Sequence, residues 1–123
     1  MFYVALVLAG GLGALARYFL GRSALSLGWV ALPFGTLAAN LIGCFLMGYL
    51  SWSLLHKWQA SHETQVIVLT GFLGGFTTFS AFSLETITLL QQGAALKTIA
   101  YILLSVVLCI SMCFLGLILA KQT

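Results

Sequence analysis

The feature that most constrains this chain is the spacing of its charges. Five Lys or Arg and two acidic residues are scattered through 123 residues, and between them lie four long apolar runs. A helix needs roughly 17–25 residues to cross the hydrocarbon core of a bilayer. The runs extend from Phe2 to Leu20, Phe34 to Leu55, Val66 to about Leu90, and Thr98 to Ala120. The second and fourth carry no charge, the first is interrupted only by Arg17, and the third only by Glu85. About a quarter of the residues of a soluble domain are charged. Here the fraction is 6%, with 62% hydrophobic residues and a mean hydropathy of +1.14, which is too little charge to cover a water-facing surface. The expectation is one all-α integral membrane domain over residues 1–123, with four transmembrane helices lying in a lipid bilayer.

Three linkers join the runs. They contain Arg22 and Gly28, then His56 to Glu63, then Gly93 to Lys97. Pro33 stands just before the second run, where its fixed φ suits a helix start. The first run lacks the basic leader of a signal peptide and is expected to stay in the mature protein.

Several function classes are excluded. The formal net charge of +3 comes from dispersed residues, whereas nucleic-acid binding needs a clustered basic face. No HExxH, phosphate loop or Ser/His/Asp set falls within the bundle, so no enzyme is expected. Gly10–Tyr18, GGLGALARY, has glycines at helical spacing but no strand–helix–strand pattern after it, so it is no nucleotide fingerprint. Cys44, Cys109 and Cys113 are odd in number and lack CxxC spacing. Cys109 and Cys113 share a helix face, and the three read as small apolar packing or lining residues.

The third run is irregular, reading GFLGGFTTFSAFSLET from Gly71. Paired glycines and β-branched Thr weaken a helix, and broken helices persist in membranes only where protein or a cavity satisfies the freed backbone. A break is expected near the middle, at about Gly74–Phe79. The competing reading is a continuous helix whose glycines allow close packing.

Charge is almost evenly divided between the two ends, with Lys57 and Lys121 on one side and Arg17, Arg22 and Lys97 on the other. So small a bias gives weak topological instruction, which permits insertion in both directions and an antiparallel homodimer. Four helices leave little room for a polar path in one protomer. Gly10, Gly13, Gly21, Gly35 and Gly43 offer faces for close helix approach, which also suits a dimer.

Polar groups at membrane depth usually face the bundle interior. Thr36, Asn40 and Gly43 share one face of the second helix. Asn40 serves either an interhelical hydrogen bond or a polar route. On the third, Phe79, Phe82 and Thr86 share a face flanked by Ser80 and Ser83. An aromatic ring has a positive edge, so ring edges, hydroxyls and an amide together can replace the water around a small anion. Core or lipid packing is the alternative for the two Phe. Tyr101, Ser105, Cys109 and Cys113 form a mildly polar stripe on the fourth helix. Glu85 is either interfacial or a proton or cation site.

The stretches Gly10–Tyr18, Phe34–Gly48 (FGTLAANLIGCFLMG) and Gly71–Ser83 (GFLGGFTTFSAFS) resemble, in order, the Fluc or CrcB family of fluoride channels. With the fourth helix the resemblance covers essentially the whole chain. It implies a fluoride-selective channel that passively exports cytoplasmic fluoride through two pores of an antiparallel, dual-topology homodimer, in a bacterial inner membrane. It further implies that Asn40, Phe79 and Phe82 contact fluoride, with Ser80 and Ser83 beside the route and Tyr101 and Ser105 lining it. Glu85 matches the acid past the Phe pair and Arg17 the basic vestibule residue. Thr36 joins the pathway through its shared face with Asn40. Gly74 and Thr77 match positions whose backbone carbonyls hold a structural sodium ion at the dimer centre. Ala81, Cys109 and Cys113 depart from hydroxyl residues common in the family, which thins the polar track. The rival readings are a proton-coupled exporter of the small multidrug type, though no acid stands in the first helix, and a non-transporting assembly subunit.

Overall fold

A computed structural model of the chain describes residues 1–28 and 32–123, and these are helical with short connections. Helix α1 covers Phe2–Ser26, α2 covers Phe34–Trp52, and a wide π-type stretch, Ser53–Lys57, continues α2. After a turn, α3 (His62–Gln65) leads into a second π-type stretch, Val66–Leu73, and then α4 (Gly74–Phe76). Helix α5 covers Phe79–Gln91 and α6 covers Ala95–Gln122. Among the described residues, four stretches are long and apolar enough to cross a membrane: Phe2–Ser26, Phe34–Lys57, His62–Gln91 and Ala95–Gln122. Four spans are what the charge spacing predicts, and the chain is a multi-pass membrane protein.

The helices outrun the apolar runs at their ends. Helix α1 continues to Ser26 because hydroxyls beyond Leu20 bond back onto their own helix: Ser23 Oγ donates to the Phe19 carbonyl at 3.0 Å and Ser26 Oγ to that of Ser23 at 2.8 Å. Gly28 then takes a φ of 75° and Gly93 a φ of 72°, left-handed conformations that glycine adopts without a Cβ penalty. Gly93 closes α5: Gly93 N–H donates to Leu90 O at 3.0 Å and Ala94 N–H to Leu89 O at 3.1 Å. At the start of α3, Ser61 Oγ accepts from Thr64 N–H at 3.2 Å, a side-chain N-cap.

Glycines set how the helices pack. A Cβ at Gly48 would strike the Cys113 carbonyl, and one at Gly116 would strike the Phe45 carbonyl, so α2 and α6 pack backbone to backbone. A Cβ at Gly13 would strike the Phe72 carbonyl and one at Gly75 that of Gly10, which sets α1 equally close to the third span. Gly43 accommodates the methyl of Thr77, and Gly35 faces the Cα of Gly21. The close approaches expected of these small residues are therefore made inside one protomer, and they carry no argument for a second copy. Van der Waals contact of this kind drives helix association where lipid removes the hydrophobic incentive.

The core is small. Leu37, Phe82 and Tyr101 are buried together, with Leu32, Phe34, Leu41 and Leu89 packed around them. Large apolar side chains such as Val7 and Leu12 on α1 and Leu103, Val107 and Phe114 on α6 point outward, as lipid-facing surfaces do. At one end Trp52 stacks on His56 with ring centroids 3.7 Å apart, and Lys121 Nζ lies 4.7 Å from the Trp52 ring centroid. Such a cluster suits the membrane interface.

Candidate functional site

The site grows from two residues. Helix α4 stops at Phe76; Thr77 (φ −87°, ψ 157°) and Thr78 (φ −153°, ψ 122°) are extended, and α5 starts at Phe79. Gly74, Gly75 and Phe76 form a helical turn, so the extended backbone is narrower than the stretch Gly74–Phe79 and centres on the two threonines. β-Branched residues favour extended backbone, whereas the glycine at 75 is needed for the close approach of α1.

Extended residues inside an apolar span release peptide groups that must find partners. Asn40 supplies them from α2. Its Nδ2 donates to the Thr78 carbonyl at 2.9 Å, and its Oδ1 accepts from the Thr78 N–H at 2.7 Å. The amide carries a second N–H, which is left over. Thr78 Oγ1 caps α5 by accepting from Ala81 N–H at 3.2 Å, and lies 3.2 Å from Ser80 Oγ. Thr77 Oγ1 turns back to donate to the Leu73 carbonyl at 2.9 Å. Arg17, half-buried on α1, donates from Nε to the Gly75 carbonyl at 3.3 Å. That carbonyl is in the last turn before the extended pair, where the helix dipole favours a cation.

Beside these residues lies a groove of about 480 Å³ between α2, the third span and α6. Its lining includes Asn40, Thr78, Phe79, Phe82, Ser105 and Cys109. Phe79 is 76% exposed in the single protomer, while Phe82 is buried. The Phe79 and Phe82 ring centroids are 5.3 Å apart at 51°, and Phe82 and Tyr101 are 5.3 Å apart at 52°. The tilt presents edges as well as faces to the space between them. Ser105 Oγ is buried and neighbours the Tyr101 phenol without a hydrogen bond of good geometry. Ser105 itself is among the groove's lining residues.

The aromatic series ends at a carboxylate. Tyr101 Oη donates to Glu85 Oε2 at 2.7 Å, and Thr36 Oγ1 donates to Oε1 at 2.6 Å. Each oxygen of Glu85 thus accepts from a hydroxyl on a different helix, and among the described residues no cation pairs with it. Thr36 and Glu85 line a second cavity, of about 470 Å³, with Gly21, Phe34, Leu89 and Gln92.

The sequence-expected residues therefore divide. Asn40, Phe79, Phe82 and Ser105 share the first groove, together with Gly74 and Thr77. Thr36 and Glu85 line the second cavity, and Tyr101 joins the two groups by touching Phe82 and Glu85. Ser83 Oγ bonds to the Phe79 carbonyl at 2.9 Å, Ser80 Oγ lies beside Thr78 Oγ1, and neither serine lines either space. Arg17 stands against Gly75 and lines neither space. Sequence reasoning missed Thr78 as the partner of Asn40. The signal available was the Thr pair itself, directly after two glycines and at the depth of Asn40.

The family described as CrcB-like protein, Camphor Resistance (CrcB), matches this chain over residues 4–117. A protein of Rhizobium etli named fluoride-specific ion channel FluC is 47% identical over 118 residues, covering 95% of this chain and 94% of its own. Proteins of the same name from Rhizobium meliloti and Phenylobacterium zucineum are 46% and 48% identical over 122 residues each, covering 98% and 95% of this chain and 98% and 94% of theirs.

Proposed function

The chain belongs to the CrcB-like family, and from that premise we propose that it is a fluoride-specific ion channel that lets fluoride leave the cell down its electrochemical gradient, across a bacterial inner membrane. The observation that carries this is near-half identity over almost the whole length with proteins named fluoride-specific ion channels. The groove supplies the physical account.

Fluoride is small and strongly hydrated, so a narrow route must offer close donors in place of water. Phe79 and Phe82 offer ring edges, Ser105 a hydroxyl without a partner, and Asn40 its remaining N–H. The first turn of α5 adds the positive end of a helix dipole beside Phe79. None of these groups is a full positive charge, which lets the ion leave as readily as it enters. Binding that is too tight halts conduction. Ser80 and Ser83 flank the route at its rim. Thr36, Tyr101 and Glu85 form its continuation toward the second cavity, where two hydroxyls hold the carboxylate in place. Arg17 lends positive charge from behind the extended pair.

In this reading the third span is a broken transmembrane helix, and two copies pack antiparallel with one groove on each. The exposed Phe79 and the near-equal charge of the two ends support a second copy. In the same reading a structural sodium ion would sit at the dimer centre. The Thr78 N–H, which would close a helical bond onto Gly74 O, goes to Asn40 instead. The Ala81 N–H, which would close a helical bond onto the Thr77 carbonyl, goes to Thr78 Oγ1 instead. Gly74 is exposed, and a Cβ there would meet nothing nearer than 3.8 Å. Carbonyl oxygens suit a hard cation, and Gly74 and Thr77 of each copy would supply four. The ion would lock the two copies together and takes no part in conduction.

The test is fluoride efflux from liposomes holding the purified protein, followed with a fluoride electrode and with chloride as the control anion. Rapid fluoride release without chloride release is expected. Silence from a well-folded, reconstituted protein would overturn the reading.

A further inference from the structure

Two thiols face the groove from different helices, and the conduction route makes no use of them. Cys44 on α2 and Cys109 on α6 are half-buried, free, and both among the groove's lining residues. The packing explains their meeting. Helices α2 and α6 press together at Gly48 and Gly116, where neither leaves room for a Cβ, and this closeness carries over to Cys44, one turn before Gly48. Cys44 and Cys109 thus line the same groove from the two sides of this seam. Cys113 stands one turn further along α6 and outside the groove lining. Among the described residues, no three His, Cys, Asp or Glu side chains gather into one metal-binding cluster. A tetrahedral zinc site takes three or four protein ligands, whereas a two-coordinate ion asks only for the pair.

We propose that Cys44 and Cys109 form a two-coordinate site for a soft, thiophilic metal ion of filled d shell, and that an ion bound there closes the groove. Soft thiolates select soft metals over hard ones. On binding, each thiol loses its proton to solvent and each sulfur forms one bond to the metal; a divalent ion then ends as a neutral bis-thiolate, with no redox change. The ion sits in the same groove as Asn40, Phe79, Phe82 and Ser105, and excludes an anion by occupying the space. The closure half of this proposal rests on the channel reading above; the binding half does not.

Mercuric ion alone is the probe. The purified full-length protein is titrated with Hg²⁺, bound metal is counted by mass spectrometry, and the thiolate-to-metal absorption band is followed. Fluoride efflux is measured on the same preparation in liposomes. About one tightly held Hg²⁺ per protomer is expected, with flux falling about tenfold or more and recovering on addition of a dithiol. Cys44→Ser and Cys109→Ser each abolish the absorption band and the mercury sensitivity, and Cys113→Ser keeps both. Cys44→Ala serves if the serine variant fails to fold. Binding that survives Cys44→Ser or Cys109→Ser, or is lost in Cys113→Ser, would overturn the assignment to this pair. Stoichiometric binding with undiminished flux would overturn closure. A protein that binds mercury as expected yet never releases fluoride would sink the channel reading and leave the metal site standing.

Discussion

The third span and α6 are almost the same length, 30 and 28 residues, yet they meet the bilayer in opposite ways. Helix α6 is continuous, and its backbone groups are satisfied within itself apart from the ends. Its polar residues are few and mostly Ser, Thr or Cys. The third span contains two extended threonines, and its freed peptide groups are satisfied from outside by Asn40 on α2 and Arg17 on α1. An uninterrupted helix needs only apolar side chains to be stable in lipid. An interrupted one depends on particular polar side chains from its neighbours, and a few positions then hold the structure and present donors to the groove at once. Substitutions should therefore be felt far more sharply around the third span than along the outer face of α6.

The largest effect is expected at Asn40. Asn40→Leu leaves the N–H and C=O of Thr78 without partners in an apolar setting, at about 1–3 kcal/mol each. Thermal unfolding in detergent should show a large loss of stability, and liposomes should show no flux. Asn40→Asp keeps the acceptor for Thr78 N–H, loses the donor, and sets a negative charge beside the route. It should fold better than Asn40→Leu and still lower flux. Wild-type stability in Asn40→Leu would mean that the extended pair does not need an outside partner, and the contrast with α6 would collapse.

Next comes Gly48→Val, which tests the continuous side of the comparison. The new side chain would drive into the Cys113 carbonyl, and overpacking of this kind costs about 1–3 kcal/mol. Leu103→Ala on the exposed face of α6 should leave stability within about 0.5 kcal/mol. Equal losses in the two variants would show that the α2–α6 seam is not where α6 derives its stability.

Phe79→Ile and Phe82→Ile separate packing from conduction. Phe82 is buried against Leu37 and Tyr101, whereas Phe79 is 76% exposed in the protomer. If the rings only pack, Phe82→Ile should cost about 1–3 kcal/mol of stability and Phe79→Ile should do little to flux. If their edges hold the anion, each loses about 1 kcal/mol of stabilisation, and flux falls several-fold to tenfold in both. Wild-type flux in both variants would remove the rings from the route.

Much of this contrast was legible in the sequence, and the illegible part has a physical cause. The four spans follow from charge spacing alone, because lipid tolerates so few charges that their positions mark the ends. The weakness of the third span followed from Gly74, Gly75, Thr77 and Thr78, but local propensity does not say which of these leaves the helix. Tertiary packing decides: Gly75 stays helical because α1 needs its missing Cβ, and the threonines take the extended backbone. Asn40 was legible as an amide at membrane depth and its partner was not, since the pairing of residues 40 and 78 depends on how α2 sets against the third span. Arg17 was assigned by resemblance to a vestibule; its bond to Gly75 O depends on the same packing. The π-type stretches at Ser53–Lys57 and Val66–Leu73 have no periodicity signal in so uniformly apolar a sequence. The two spaces into which the expected pathway residues divide are likewise products of packing.

The smallest expected change in stability is the most discriminating, because it carries the opposite sign. Ser105 is on α6, the continuous helix; it lines the groove, and its buried hydroxyl has no hydrogen bond of good geometry. An unsatisfied buried hydroxyl is a liability of about 1 kcal/mol or more to the fold. Ser105→Ala should therefore leave stability unchanged or raise it by about 1 kcal/mol. If the hydroxyl is kept as a donor for a passing anion, flux should fall several-fold in the same variant. Packing alone cannot produce a protein that is at least as stable and conducts less well, so this pairing of outcomes would place Ser105 on the route. A variant that is less stable would mean that Ser105 has a partner in the assembled protein, and one with unchanged flux would confine the working donors to the third span and Asn40.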